Sequence, residues 1–84
     1  MNKKQRQTLS KIFDKPERPD IPWNDIESLF VALGADISEG KGSRVRVSLN
    51  QVRAVFHRPH PKRVTNKASV KSVRRFLTES GVIP

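Results

Sequence analysis

Cysteine is absent from these 84 residues. Disulfide staples, thiol nucleophiles and cysteine-bound zinc are thereby excluded, and a reducing cytoplasm is the expected compartment. No apolar run reaches the roughly 18 residues that a membrane-crossing helix needs. The charged start Met1-Asn2-Lys3-Lys4-Gln5-Arg6 is followed by no apolar stretch of the kind a secretion signal requires. Acidic residues nearly vanish from the second half. Residues 41–84 contain Glu79 alone against eleven Lys and Arg, a net charge of +10, whereas residues 1–40 carry −1. With no carboxylate cluster and no thiol near the two histidines, His57 and His60, neither a metal site nor a small-molecule cofactor is expected. A field so lopsided on a chain with room for one small domain points to a polyanionic partner, such as RNA, DNA or an acidic protein.

What is present sorts into short elements. Residues 2–14 have an apolar stripe at Leu9, Ile12 and Phe13, at helical spacing. Pro16, Pro19 and Pro22 then interrupt any helix. The division that follows is a helical, proline-rich extension over residues 1–20 and a main domain over residues 21–84. Within that domain, Ile26, Leu29, Phe30 and Leu33 predict a helix over about Trp23–Leu33, with acids in its first turn and Gly34 as its left-handed stop. Trp23, at the start of this helix, belongs to its core face rather than to a base-stacking platform. Ala35–Glu39 is a weak strand candidate. Arg44–Leu49 and Val52–His57 alternate apolar and polar, and Gly40-Lys41-Gly42 and Asn50-Gln51 form the turns. Val70, Val73, Phe76 and Leu77 predict a last helix over about Lys67–Ser80, ended by Gly81.

A two-residue loop at Asn50-Gln51 fixes the hairpin register. Leu49 then faces Val52, Val47 faces Ala54 and Val45 faces Phe56, so apolar side chains meet at every step. The opposite face pairs Ser48 with Arg53, Arg46 with Val55 and Arg44 with His57. The fold class is α+β, a three-stranded antiparallel sheet with two helices on one face and the other face open.

This order of elements, with Trp23–Gly34 as first helix, Gly42-Ser43 opening the second strand, a histidine at a strand end and a basic last helix ending in Ser80-Gly81-Val82, resembles the HicA toxin family. The resemblance runs from about Trp23 to Val82. Its most specific part is Leu33-Gly34-Ala35 followed by a Gly-Ser pair at the next strand. The resemblance implies a double-stranded-RNA-binding-domain-like α-β-β-β-α fold, cleavage of mRNA without a metal, and silencing by an acidic HicB-like antitoxin. The family pattern usually reads Gly-Ser-His, with the histidine catalytic. Here it reads Gly42-Ser43-Arg44, so the residue that would carry over is replaced.

Two histidines remain for proton transfer. His57, beside Arg44 on the open face, is the first candidate for general base or acid, with Arg44 as phosphate clamp. His60, between two prolines, is the candidate partner, or else a turn residue. Lys41, Ser43, Arg46, Arg53, Arg58, Lys71, Arg74 and Arg75 are the candidate RNA contacts. As a nucleophile Ser43 lacks an acid-oriented histidine. The rival reading is a non-catalytic RNA-binding or antitoxin-binding module that has lost the family histidine. Attachment to a membrane surface is weaker, because no basic amphipathic helix carries bulky aromatics.

Overall fold

A computed structural model describes residues 1–84. The chain runs α1 (Lys3–Phe13), β1 (Ile21–Pro22), α2 (Trp23–Ala32), β2 (Asp36–Glu39), β3 (Arg44–Leu49), β4 (Val52–His57), β5 (Val64–Thr65) and α3 (Lys67–Glu79). Strands β2, β3 and β4 form an antiparallel sheet in that order. With α2 and α3 they make up the α-β-β-β-α unit expected from the sequence. Helix α2 starts directly after Pro22, which has no N–H to leave unsatisfied, and ends at Gly34 with φ +87°. Helix α3 is capped by the Asn66 side chain, which accepts a hydrogen bond from the Ser69 amide at 2.8 Å.

The β3–β4 register is the one the alternation demands, from Leu49↔Val52 to Arg44↔His57. Asn50 and Gln51 have φ of +50° and +70°, the two left-handed residues that a tight hairpin turn needs. Val45, Val47, Leu49 and Phe56 are buried beneath the helices. Phe56 lies at the centre, with ring centroids 5.8 Å from each of Trp23, Phe30 and Phe76. A two-residue ladder not anticipated from the sequence pairs Ile21 with Thr65 and Pro22 with Val64. It ties the entry of α2 to the entry of α3.

Residues 1–20 do not hang free as an extension. Helix α1 packs against α2 and α3, and its Leu9 and Ile12 join the one hydrophobic core, Ile12 at 0% exposure. A capping box between Asn2 and Gln5 starts the helix. At its end, Arg74 of α3 donates from Nε to the Ile12 carbonyl at 3.0 Å and from Nη2 to the Asp14 carbonyl at 3.3 Å. Those carbonyls have no partner within the helix, so the guanidinium satisfies them. The prolines end the helix, as expected, but they do not undock it.

Candidate functional site

The face of the sheet away from the helices is where charge collects. Alternation turns Arg44, Arg46 and Ser48 of β3 outward, with Arg53, Val55 and His57 of β4 and Asp36 and Ser38 of β2. Arg44 and His57 are direct cross-strand partners and both are exposed. Such partners hold their Cβ atoms about 5 Å apart, so an imidazole and a guanidinium reach the same small ligand. Gly40 lets the backbone pass close to Arg44 at this end of the sheet. A Cβ there would meet the Arg44 Cβ at 3.0 Å, and the Gly40 amide donates to the Arg44 carbonyl at 2.9 Å. Lys41 and Ser43 are exposed in the turn that precedes Arg44. His60 is exposed in the loop after β4, outside the sheet.

Two of the expected RNA contacts are engaged elsewhere. Arg58 continues the parity of Phe56 and so turns to the helix side. There it bridges two carboxylates: Nε to Glu27 Oε2 at 2.7 Å, and Nη1 to Glu39 Oε1 at 2.6 Å. Its Nη2 completes both forks, at 3.1 Å to Glu27 and 2.8 Å to Glu39. Glu27 also accepts from the Trp23 indole N–H. The hydrogen bonds it donates to Glu39 and Glu27 hold the Arg58 guanidinium above its ordinary range. In return, the hydrogen bond from Arg58 keeps the Glu39 carboxyl below its usual value. Arg58 is therefore a clasp joining α2, β2 and the end of β4, not a free phosphate contact. Arg74 is the second case. Its side chain is only 14% exposed, bonded to α1 as described and 3.6 Å from Glu17.

The other basic residues of the second half remain exposed and free of ion pairs: Lys41, Arg44, Arg46, Arg53, Lys62, Arg63, Lys67, Lys71 and Arg75. Lys41, Lys62 and Arg63 lie in turns and loops, and the other six fall on two surfaces. Arg44, Arg46 and Arg53 occupy the open sheet face. Lys67, Lys71 and Arg75 lie on the outer side of α3, which packs against the opposite face. No group of three or more acidic or histidine side chains that could hold a metal ion is formed.

A family model described as the HicA toxin of bacterial toxin-antitoxin systems matches residues 23–82. The chain belongs to the HicA toxin family. No curated protein and no solved structure matches it. The family match begins at Trp23, so α1 lies outside it even though α1 contributes to the core of this HicA-family toxin. No helix is long and apolar enough to cross a membrane. Three acids to which the sequence assigned no role at the site shape the toxin's surface: Glu27 and Glu39, which occupy Arg58, and Asp36, which stands on the open face. For Arg58 the signal was in the sequence, since the parity that buries Phe56 carries Arg58 to the same side.

Proposed function

We propose that this toxin binds mRNA on the open sheet face and cleaves it without a metal, using His57 for proton transfer and Arg44 for the phosphate. The observation that carries this reading is the Arg44–His57 cross-strand pair, exposed on the same face as Arg46 and Arg53, none of these arginines in an ion pair. The chemistry is spare. A base removes the 2′-hydroxyl proton, the 2′-oxygen attacks its own phosphodiester, and the phosphorus–O5′ bond breaks. A proton delivered to O5′ completes the step and leaves a 2′,3′-cyclic phosphate and a 5′-hydroxyl. Imidazole suits either proton transfer because it titrates near neutrality. Guanidinium stays charged and binds two phosphate oxygens at once, so Arg44 stabilises the charge that builds on phosphorus. His60 is the proposed partner imidazole. An acidic HicB-like antitoxin is the proposed silencing partner, matched to the basic surfaces by charge.

A second reading is favoured by one specific departure, Arg44 where the family pattern has its catalytic histidine. Under it the protein binds RNA or antitoxin and cuts nothing. Induced expression with RNA decay and colony growth as readouts separates the two. Wild type and His57→Ala are compared, with circular dichroism to confirm folding. The cleavage reading expects RNA loss and growth arrest in wild type, abolished in His57→Ala while RNA binding persists. Arg44→Lys should recover part of what Arg44→Ala loses. A wild type that neither degrades RNA nor slows growth supports the non-catalytic reading. Full toxicity in a folded variant lacking both histidines overturns histidine catalysis.

A further inference from the structure

A shallow depression lies on the open face, one to two steps along the strands from the Arg44–His57 pair, at about 7 Å per step. Asp36, Ser38, Arg46, Ser48, Arg53 and Val55 line it. Two features set it apart from a plain phosphate track. Asp36 sits across from Ser48, which sits across from Arg53. Although Arg46 and Arg53 line the same depression, Asp36 forms no ion pair. Val55 is 56% exposed and places an apolar surface between Arg53 and His57 on the same strand.

A carboxylate repels phosphate and weakens a surface whose only task is to hold a nucleic-acid backbone. It rewards instead a ligand that offers two donors side by side, because its two oxygens accept in parallel. Among the RNA bases, guanine alone presents such a pair on its Watson–Crick edge, N1–H beside the N2 amino group. Adenine and cytosine show one amino group next to an acceptor, and uracil shows one imino N–H between two carbonyls. That edge is free only when the base is unpaired.

We infer that this depression is a guanine subsite for single-stranded RNA, in which Asp36 reads the N1–H and N2–H donors, Val55 lies against the base, and Arg46 and Arg53 hold the neighbouring phosphates. The inference rests on the RNA-cleaving reading above and adds the specificity that reading lacks. It places a guanosine within a step or two along the strands from the scissile bond rather than at random along the bound strand.

The test is fluorescence anisotropy at low salt with short single-stranded oligonucleotides. Their riboses are 2′-O-methylated, so the attacking hydroxyl is gone, and they are all-uridine apart from one central guanosine, inosine or adenosine. Wild type should bind the guanosine oligomer about tenfold more tightly than the adenosine one, the discrimination of one good bidentate pair. Inosine, without the N2 amino group, should fall between. Asp36→Ala should erase the preference and bind the adenosine oligomer at least as tightly as wild type does, since a repelling charge is gone. Asp36→Asn should also lose the ranking. Equal binding of all three oligomers by wild type overturns the subsite and leaves the RNA reading standing. Retention of the preference in Asp36→Ala overturns the role of Asp36. A poly-glutamate peptide that binds more tightly than any oligomer assigns the face to an acidic protein and overturns the inference. Failure to bind any RNA overturns both the inference and the reading beneath it.

Discussion

Replacing Ile12 by alanine tests whether α1 is structurally part of the toxin. The side chain is 0% exposed and sits in the core where α1 meets α2 and α3. Truncating a buried isoleucine to alanine costs about 2–5 kcal/mol, from the lost transfer free energy and the cavity left behind. Were the helix a free appendage, the same change would stay within about 0.5 kcal/mol. The two expectations do not overlap. A domain of this length has a total stability of roughly 4–13 kcal/mol, so a loss of about 3 kcal/mol removes a large share of it. In thermal unfolding that loss corresponds to a drop of roughly 12–24 °C. Urea titration followed by circular dichroism reads the effect, with Ser10→Ala, on the exposed side of the same helix, as the control that should barely move. An Ile12→Ala midpoint equal to wild type, with an unchanged slope, would show that the docking of α1 contributes nothing.

Three further outcomes are expected. Phe56→Ala should cost about 3–5 kcal/mol in denaturant titration, while Arg53→Ala on the other face should stay within about 0.5 kcal/mol; reversed costs would mean a register one residue out. RNA binding should weaken with a log–log salt slope of about −3 to −4, corresponding to about 4–6 phosphates neutralised on a single strand, and binding indifferent to salt would refute the electrostatic reading. The Glu39 carboxyl, held below its ordinary value of 4.5 by the Arg58 hydrogen bond, contributes stability above that value and loses it as pH falls through the lowered one. Glu39→Gln should therefore flatten the acid limb of the stability profile, and an unchanged limb would place the acid sensitivity elsewhere.

The sequence was most readable where structure is local and periodic. Matching apolar residues across Asn50-Gln51 was enough to pair Arg44 with His57, because a slip of one residue would turn Val45, Val47 and Phe56 outward. Gly34 and Gly81, at φ +87° and +86°, mark helix ends that composition already signalled. Long-range pairing was another matter. The two-residue ladder of β1 and β5 is too short to have a period. The stripe of Leu9, Ile12 and Phe13 announced a helix, but nothing local says which surface covers it, and the three prolines read as separation. Arg58 and Arg74 looked like surface charge because their partners are distant in sequence: Glu27 and Glu39 for one, the carbonyls at the end of α1 for the other. On the open face, the residue types and their facing were readable, whereas the depression that groups Asp36 with Arg46 and Val55 emerged only once β2 was aligned beside β3.

The nine unpaired cations have a consequence for the protein when it is alone. Folding gathers them onto a molecule only about 30 Å across, and like charges at such spacing push against the compact state. Dissolved salt screens that repulsion within about 10 Å at 0.1 M. Added salt should therefore tighten the empty toxin and, under the proposed function, loosen its hold on RNA, so that fold and grip would respond to the same ions in opposite senses. An anionic partner escapes this opposition, because it relieves the crowding of charge and favours the folded form by binding it. Whatever covers these surfaces in the cell then serves the toxin as a counterion as well as a ligand.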